Sequence, residues 1–457
     1  MTVYRFGRLG TIATIALLIM GAGSSDANET VRVRLFSGKQ IESASLSEGT
    51  GGALTIYDSS GPLATLDNGQ VLTFDIWNEF LRAHWTSGNV PLERAFVRSD
   101  NGEIKVTVND ETRTYRGSIE LVLDGDIERP SLLIINEVAL PDYISSVLPS
   151  EYGFTEPEGM KAQAIVIRTY ALRARSQRQG LYDLTDNTGS QVYMGVSSEN
   201  DGARAAVKAT TSMAITYKGE LIEAVYSAHC GGHSANNEDV WMSKAVPYLR
   251  GRDDPYDHDA PVAHWESRIN KKDLLDLLSR LYSVKVKDIS IADRGAGKHV
   301  TAVRLKAKGD DLDITAQSFR VAVNNRFGSA SVKSTLFDFN KDGDSYHFTG
   351  KGLGHGVGLC QWGAAEQARE GRSYKDILHF YYQDVKIEGY ESEPPVAAAA
   401  LANPARVEKS TRDEPPATEK KQKPAKKAPQ VKKAAKTKKD SHPTAVSPKL
   451  TGRRVGW

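Results

Sequence analysis

Three short stretches of the chain concentrate residue types that do chemistry. Glu151 stands between an apolar run at residues 143–148 and a Gly153–Phe154 turn. A carboxyl held by two rigid elements beside an open loop suits a general acid; a solvated loop glutamate is the plainer alternative. The second stretch, YSAHCGGHSANNEDVW at residues 226–241, sets His229, Cys230 and His233 within five positions. The third, GKGLGHGVGLCQWGAAEQA at residues 350–368, carries His355, Cys360, Gln361 and Trp362 among six glycines, at 350, 352, 354, 356, 358 and 363. Glycine lets backbone pass close to a ligand or take positive φ. This is not a phosphate loop, because the Lys-Ser/Thr pair is missing from the required end. Nor is it a dinucleotide fingerprint, because no strand–helix unit surrounds it.

His229, Cys230, His233 and Cys360 could together offer nitrogen and sulfur ligands to zinc. A Cys230–Cys360 disulfide would use both sulfurs without a metal, and two thiols are the third state available. His355 could hydrogen-bond a substrate or brace its own loop. Trp362 could stack on a sugar ring or fill the core. Spacing alone leaves each of these pairs of readings open.

The elements that must hold these residues are legible in the hydropathy pattern. Met160, Ala164, Ile167 and Ala171 form one apolar helical stripe, and Ala162, Ile165, Val166 and Thr169 form a second beside it, which predicts a central helix. Thr155 as N-cap, Glu158 three residues later and Pro157 in the first turn mark its start. Residues 30–125 alternate apolar and polar types between Gly, Asn, Asp and Ser turns and predict strands, as do residues 131–140. Helices are expected at 201–211, 271–282 and 374–382, a strand at 300–307, and a strand then a short helix at 312–324. The fold class is therefore α+β, a mixed α/β core behind a β-rich N-terminal region. No fixed-period repeat is present, which excludes solenoids and propellers.

Charge divides the chain. The net charge is +2, but residues 401–457 hold 16 Lys or Arg against 5 Asp or Glu, a surplus of 11 positive charges that leaves about −9 on residues 1–400. Lysine fills ten of the twenty positions 420–439. Such a segment buries too little apolar surface to fold alone, so a disordered Lys/Ala/Pro-rich tail is expected at 391–457. It could attach electrostatically to an anionic wall polymer or a membrane surface. At the other end, Arg5 and Arg8 precede an apolar run at residues 9–20 and small residues near Ser24 and Ala27, the pattern of a secretory signal. Export argues against nucleic acid as a partner. The expected divisions are a signal peptide at 1–27, the β-rich region at 28–114, the core at 115–390 and the tail at 391–457.

Taken in order, several motifs resemble the SpoIID/LytB family of bacterial cell-wall proteins. They are LPDYISSVLPSE at 140–151, EGMKAQAIVIRTYAL at 158–172, SQVYMG at 190–195, the 226–241 stretch with PYLRG at 247–251, SFR at 318–320, GLGHGVGLCQWGA, and SYKDILHFYY at 373–382. The resemblance covers residues 115–389. It implies a SpoIID-like core and lytic transglycosylase activity on peptidoglycan glycan strands stripped of stem peptides, in the periplasm or cell wall. It places the catalytic acid at Glu151 and requires no cofactor. Around that acid, Gln191, Tyr193, His355, Gln361 and Trp362 are the candidate glycan-binding residues. Some members bind zinc near the groove, where this chain has DNTGSQVY at 186–193, without a histidine. Other members enhance a cell-wall amidase, which makes a non-catalytic, peptidoglycan-binding amidase enhancer the alternative function.

The tail makes a direct prediction. Deleting residues 391–457 should abolish salt-sensitive retention on isolated anionic cell wall in a pelleting assay and leave soluble activity intact. Equal retention of the shortened chain would remove the electrostatic role.

Overall fold

A computed structural model describes residues 29–125, 129–257, 260 and 263–390. The secretory signal and the basic tail predicted from the sequence lie outside these residues. The described helices are α1 (Leu140–Glu151), α2 (Pro157–Ser176), α3 (Asp201–Ala209), α4 (Asn237–Trp241), α5 (Lys271–Tyr282), α6 (Ala316–Phe327), α7 (Gln361–Arg369) and α8 (Tyr374–Tyr381). None of them is long and apolar enough to cross a membrane.

The mixed α+β class expected from the sequence holds. The N-terminal strands join an eleven-stranded sheet among the described residues. Its order begins with Leu184–Thr185, Thr30–Arg34, Ser131–Ala139, Glu111–Asp124 and Arg94–Val108. Thr30–Arg34 pairs antiparallel with Ser131–Ala139, Val31 opposite Val138, and parallel with Leu184–Thr185. The β-rich region and the segment leading to Glu151 thus share one sheet, and residue 114 lies inside the strand Glu111–Asp124.

Helix α1 follows directly from Ser131–Ala139. Pro141 occupies its first turn and Pro149 its last. Proline lacks the amide that would continue the ladder and pushes its predecessor toward extended backbone, so the helix is poorly placed to go on. It closes with the Tyr152 amide donating to the Leu148 carbonyl at 2.8 Å. Glu151, expected in a loop, is the last residue of that helix.

Helix α2 begins with Glu156 as its N-cap and Pro157 at its first position, without a side-chain capping bond. The expected Thr155 cap is displaced because proline, with φ already helical and no amide to satisfy, starts the helix one residue later. Glu158 does not bond back either. It pairs with Lys161 at 2.6 Å and accepts the Tyr374 amide at 2.8 Å, tying α2 to α8.

The two apolar stripes of α2 serve different cores. Met160, Ala164, Ile167 and Ala171 pack with the sheet, α1 and α3. Ala162, Ile165 and Val166 pack with Ile215, Val225, Cys230, Leu359, Cys360 and α8. Arg168, completely buried, donates from its guanidinium to the Met213 carbonyl at 3.2 Å and the Val207 carbonyl at 3.4 Å. Its positive charge meets the negative end of α3.

Residues 264–351 form a third packing unit around Trp265, Leu278, Phe319, Phe337 and Phe348. It comprises two three-stranded antiparallel sheets with α5 and α6. The segment 213–228 holds three short strands, Met213–Tyr217, Glu220–Leu221 and Tyr226–Ser227.

Ile165, fully buried on the second stripe, tests this arrangement. Ile165→Ala should lower stability by about 2–5 kcal/mol through lost transfer energy and a residual cavity. A urea midpoint unchanged from the wild type would show that the second core contributes little.

Candidate functional site

Glu151 is buried, with 7% of its surface exposed. Its Oε1 accepts the Val192 backbone amide at 2.6 Å, and its carbonyl accepts Gln361 Nε2 at 2.9 Å. The SQVYMG motif therefore reaches the carboxyl through backbone, and the glycine-rich motif holds the helix end that carries it. Around the carboxyl stand Tyr143 and Tyr226, bridged by Gln191. Tyr143 Oη donates to Gln191 Oε1 at 3.0 Å, and Gln191 Nε2 donates to Tyr226 Oη at 3.4 Å. Burial raises both phenols well above the ordinary tyrosine range, and the Glu151 charge adds to the shift in each. Both rings stay protonated beside the acid.

The other expected site residues sort by depth. Gln191, Tyr193, His355 and Gln361 are buried, and Trp362 is half-buried. Tyr193 donates to Asn136 Oδ1 at 2.8 Å and packs against Tyr143 with ring centroids 5.1 Å apart. The four buried side chains are interior groups of this structure, as Glu151 itself nearly is. Trp362 meets Phe154 edge to face at 4.9 Å, and Phe154 meets Tyr152, which follows the acid.

His355 illustrates how the glycine-rich loop works. Its Nδ1 accepts the Val357 amide at 3.1 Å and its ring lies 5.1 Å from Trp241. Burial, followed by the nearby Arg320 charge, depresses its pKa to about 3. It is a neutral brace. The glycines around it allow close passage. Gly358, at φ +73, would place a Cβ 2.0 Å from the Val225 carbonyl, so no side chain fits there.

Among the described residues the four candidate zinc ligands do not gather into one group. His229 is buried, but its Nδ1 accepts the Gly231 amide at 2.9 Å, and His233 Nδ1 lies 2.6 Å from the Ser234 carbonyl. Cys230 and Cys360 do meet, as thiols, one of the three states the sequence left open, because the short strands Tyr226–Ser227 and Leu359–Cys360 pair in parallel. The third group beside them is Asp254, which the sequence reading missed. The only local signal for it is an Asp-Asp-Pro turn shortly after PYLRG, and no spacing rule links that turn to either cysteine. The stretch 186–193 does not fit a metal. Asp186 there accepts from the Phe36 and Ser37 amides and pairs with Arg113.

Two cavities flank this region. One of about 710 Å³ is lined by Tyr170, Arg173, Arg178, Tyr182, Ser190 and Glu223 among others. Tyr170 lies close enough to Tyr143 and Tyr226 to act electrostatically on both, and neither Gln191 nor Glu151 lines this cavity. The other, about 960 Å³, lies between the 229–233 loop and the 264–351 unit, and Glu151 does not line it.

Comparison with known proteins matches residues 128–217 to the family described as Stage II sporulation protein, the segment that contains Glu151, α2 and SQVYMG. Residues 255–358 match a domain of unknown function, DUF8618. An uncharacterised protein of Brachyspira hyodysenteriae is 34% identical over 292 residues, 62% of this chain and 76% of that protein. Stage II sporulation protein D of Bacillus amyloliquefaciens is 29% identical over 58% of this chain and 79% of its own length. The amidase enhancer of Bacillus subtilis is 29% identical over 54% of this chain, and the match spans 40% of the enhancer's length.

The depressed His355 value makes stability depend on pH. The unfolded histidine takes up a proton near 6.5 and the folded one only near 3. Unfolding therefore gains protons across that window, and stability falls as pH drops below about 6.5. His299, also lowered by burial, acts in the same direction. His355→Gln should flatten the fall in the urea midpoint between about pH 7 and pH 5. An unchanged slope would rule out His355 as a source.

Proposed function

The chain belongs to the SpoIID/LytB family, and from that premise we propose that it is an exported lytic transglycosylase that cuts peptidoglycan glycan strands with Glu151. The observation that carries this reading is the setting of the Glu151 carboxyl. It is buried at the end of α1, with one oxygen fixed by the Val192 amide and two protonated tyrosines alongside.

One such carboxyl is enough for the reaction. A protonated Glu151 gives its proton to the glycosidic oxygen as the bond to muramic acid C1 breaks, releasing the adjoining sugar with a free 4-hydroxyl. The glutamate then takes the proton of the muramic acid 6-hydroxyl while that oxygen closes on C1. The product is a 1,6-anhydro end, and no water enters, unlike the paired-carboxylate hydrolases. The Val192 amide keeps Oε1 oriented. The Tyr143–Gln191–Tyr226 chain restricts water near the carboxyl and holds its position. Denuded strands are the favoured substrate, since the acid lies deep and stem peptides would crowd its approach.

A second reading has its own support. The amidase enhancer of Bacillus subtilis is among the relatives, and a deeply set Glu151 is compatible with a groove that holds glycan without cutting it. In that case a cell-wall amidase is the partner, and the basic tail adds affinity for the wall.

Mass spectrometry of intact and denuded wall glycan after incubation decides between them. Wild type should release anhydro-ended fragments, and Glu151→Gln should lower their yield at least about 100-fold with binding retained. Glycan bound but uncut by both proteins would replace the enzyme with the scaffold.

A further inference from the structure

Cys230, Asp254 and Cys360 come from three separate segments and converge beside the acid. Their ligand atoms all lie within 4.8 Å of one another, and all three residues are buried. Cys230 Sγ is 3.4 Å from Asp254 Oδ2. In a tetrahedral zinc site, with Zn–S about 2.3 Å and Zn–O about 2.0–2.2 Å, the S···O edge is about 3.5 Å. The pair already has that spacing.

Backbone amides are already aimed at one of the sulfurs. Cys360 is the N-cap residue of the nine-residue α7, and its Sγ accepts the Gly363 amide at 3.4 Å and the Cys230 amide at 3.3 Å. The carboxylate is oriented as well. Tyr381 Oη donates to Asp254 Oδ2 at 2.9 Å, and the Tyr256 amide donates to Oδ1 at 3.1 Å, the kind of outer bonds that aim a metal ligand. Gly363 closes one side. A Cβ there would lie 2.2 Å from Tyr381 Oη and 2.7 Å from Asp254 Oδ2, so the cradle excludes any side chain.

We propose that Cys230, Asp254 and Cys360 bind one thiophilic divalent cation, zinc serving as the probe, which pins the start of α7. The two thiols release their protons to solvent on binding, so affinity falls with acid. The protein ligands fill three tetrahedral positions and leave the fourth for a water or a neighbouring hydroxyl. The cation sits one residue from Gln361, whose amide holds the Glu151 carbonyl. It thereby braces the acid's helix without touching substrate. These residues are separate from the 186–193 stretch and replace the histidines that the sequence offered.

The full chain, purified without chelator, should contain about one equivalent of zinc by elemental mass spectrometry, because structural thiolate sites bind tightly. Cobalt replacement should give thiolate-to-cobalt charge-transfer absorption. Cys230→Ser and Cys360→Ser should each lose the metal and that band, Asp254→Asn should weaken binding at least about 10-fold, and His233→Ala should keep full stoichiometry. Should the serine variants fail to fold, zinc should still protect both wild-type thiols from a disulfide reagent. The proposal is overturned if wild type takes up no zinc or cobalt and both thiols react equally with and without it. It is also overturned by a native mass lower by two hydrogens with no titratable thiol, or by metal loss in His233→Ala. All readouts are independent of glycan cleavage.

Discussion

Helix α2 has almost no face left for water, and that burial organises the molecule. One stripe, through Met160, Ala164 and Ile167, packs against the large sheet and α1, and the other, through Ala162, Ile165 and Val166, packs under the cysteine and glycine-rich motifs. A helix apolar around most of its circumference must be wrapped on all sides. Here the two wrappings are distant in sequence, so α2 is the wall that two cores share. Arg168, buried at its middle, is accommodated because Val207 at the end of α3 and Met213 beyond it offer carbonyl oxygens.

That shared wall explains how motifs far apart in the chain meet at one carboxyl. Glu151 leaves α1 just before α2 begins, so its position follows from the first core. Gln361 and Cys360 belong to the second core, and a single amide from Gln361 to the Glu151 carbonyl joins the two. Val192 arrives from the segment that follows Leu184–Thr185, the strand at the sheet's edge. Three independently packed elements thus restrain one acid, and displacement of any one shifts it.

The 264–351 unit stands apart in its packing, with aromatic residues of its own, Phe319, Phe337 and Phe348, in mutual contact. It meets the functional region at the 229–233 loop, where Gly350 would place a Cβ 2.3 Å from the Trp265 ring and His229 pairs with Leu353. The glycine-rich motif that follows is therefore a seam between packing units. Its positive-φ glycines at 352, 354, 356 and 358 let backbone lie directly on neighbouring backbone where a side chain would hold the two apart.

What the sequence determined by itself was local. The α5 helix at Lys271–Tyr282 and the Val300–Ala307 strand match their hydropathy periods, and Ser131–Ala139 lies within the strand expected at 131–140. The stripes of α2 announced burial on two sides, because periodicity reports which faces are apolar. The motifs named the neighbourhood of Glu151 through family resemblance. Tertiary structure alone decided which side chains meet. His229 and His233, adjacent to Cys230 in sequence, turn to backbone partners, while Asp254, on no recognisable motif, joins the two cysteines. It also decided that Gln191, Tyr193, His355 and Gln361 are interior groups and that SQVYMG reaches the acid through the Val192 amide. A backbone amide carries no residue identity, and a side chain's direction depends on the packing of elements distant in the chain.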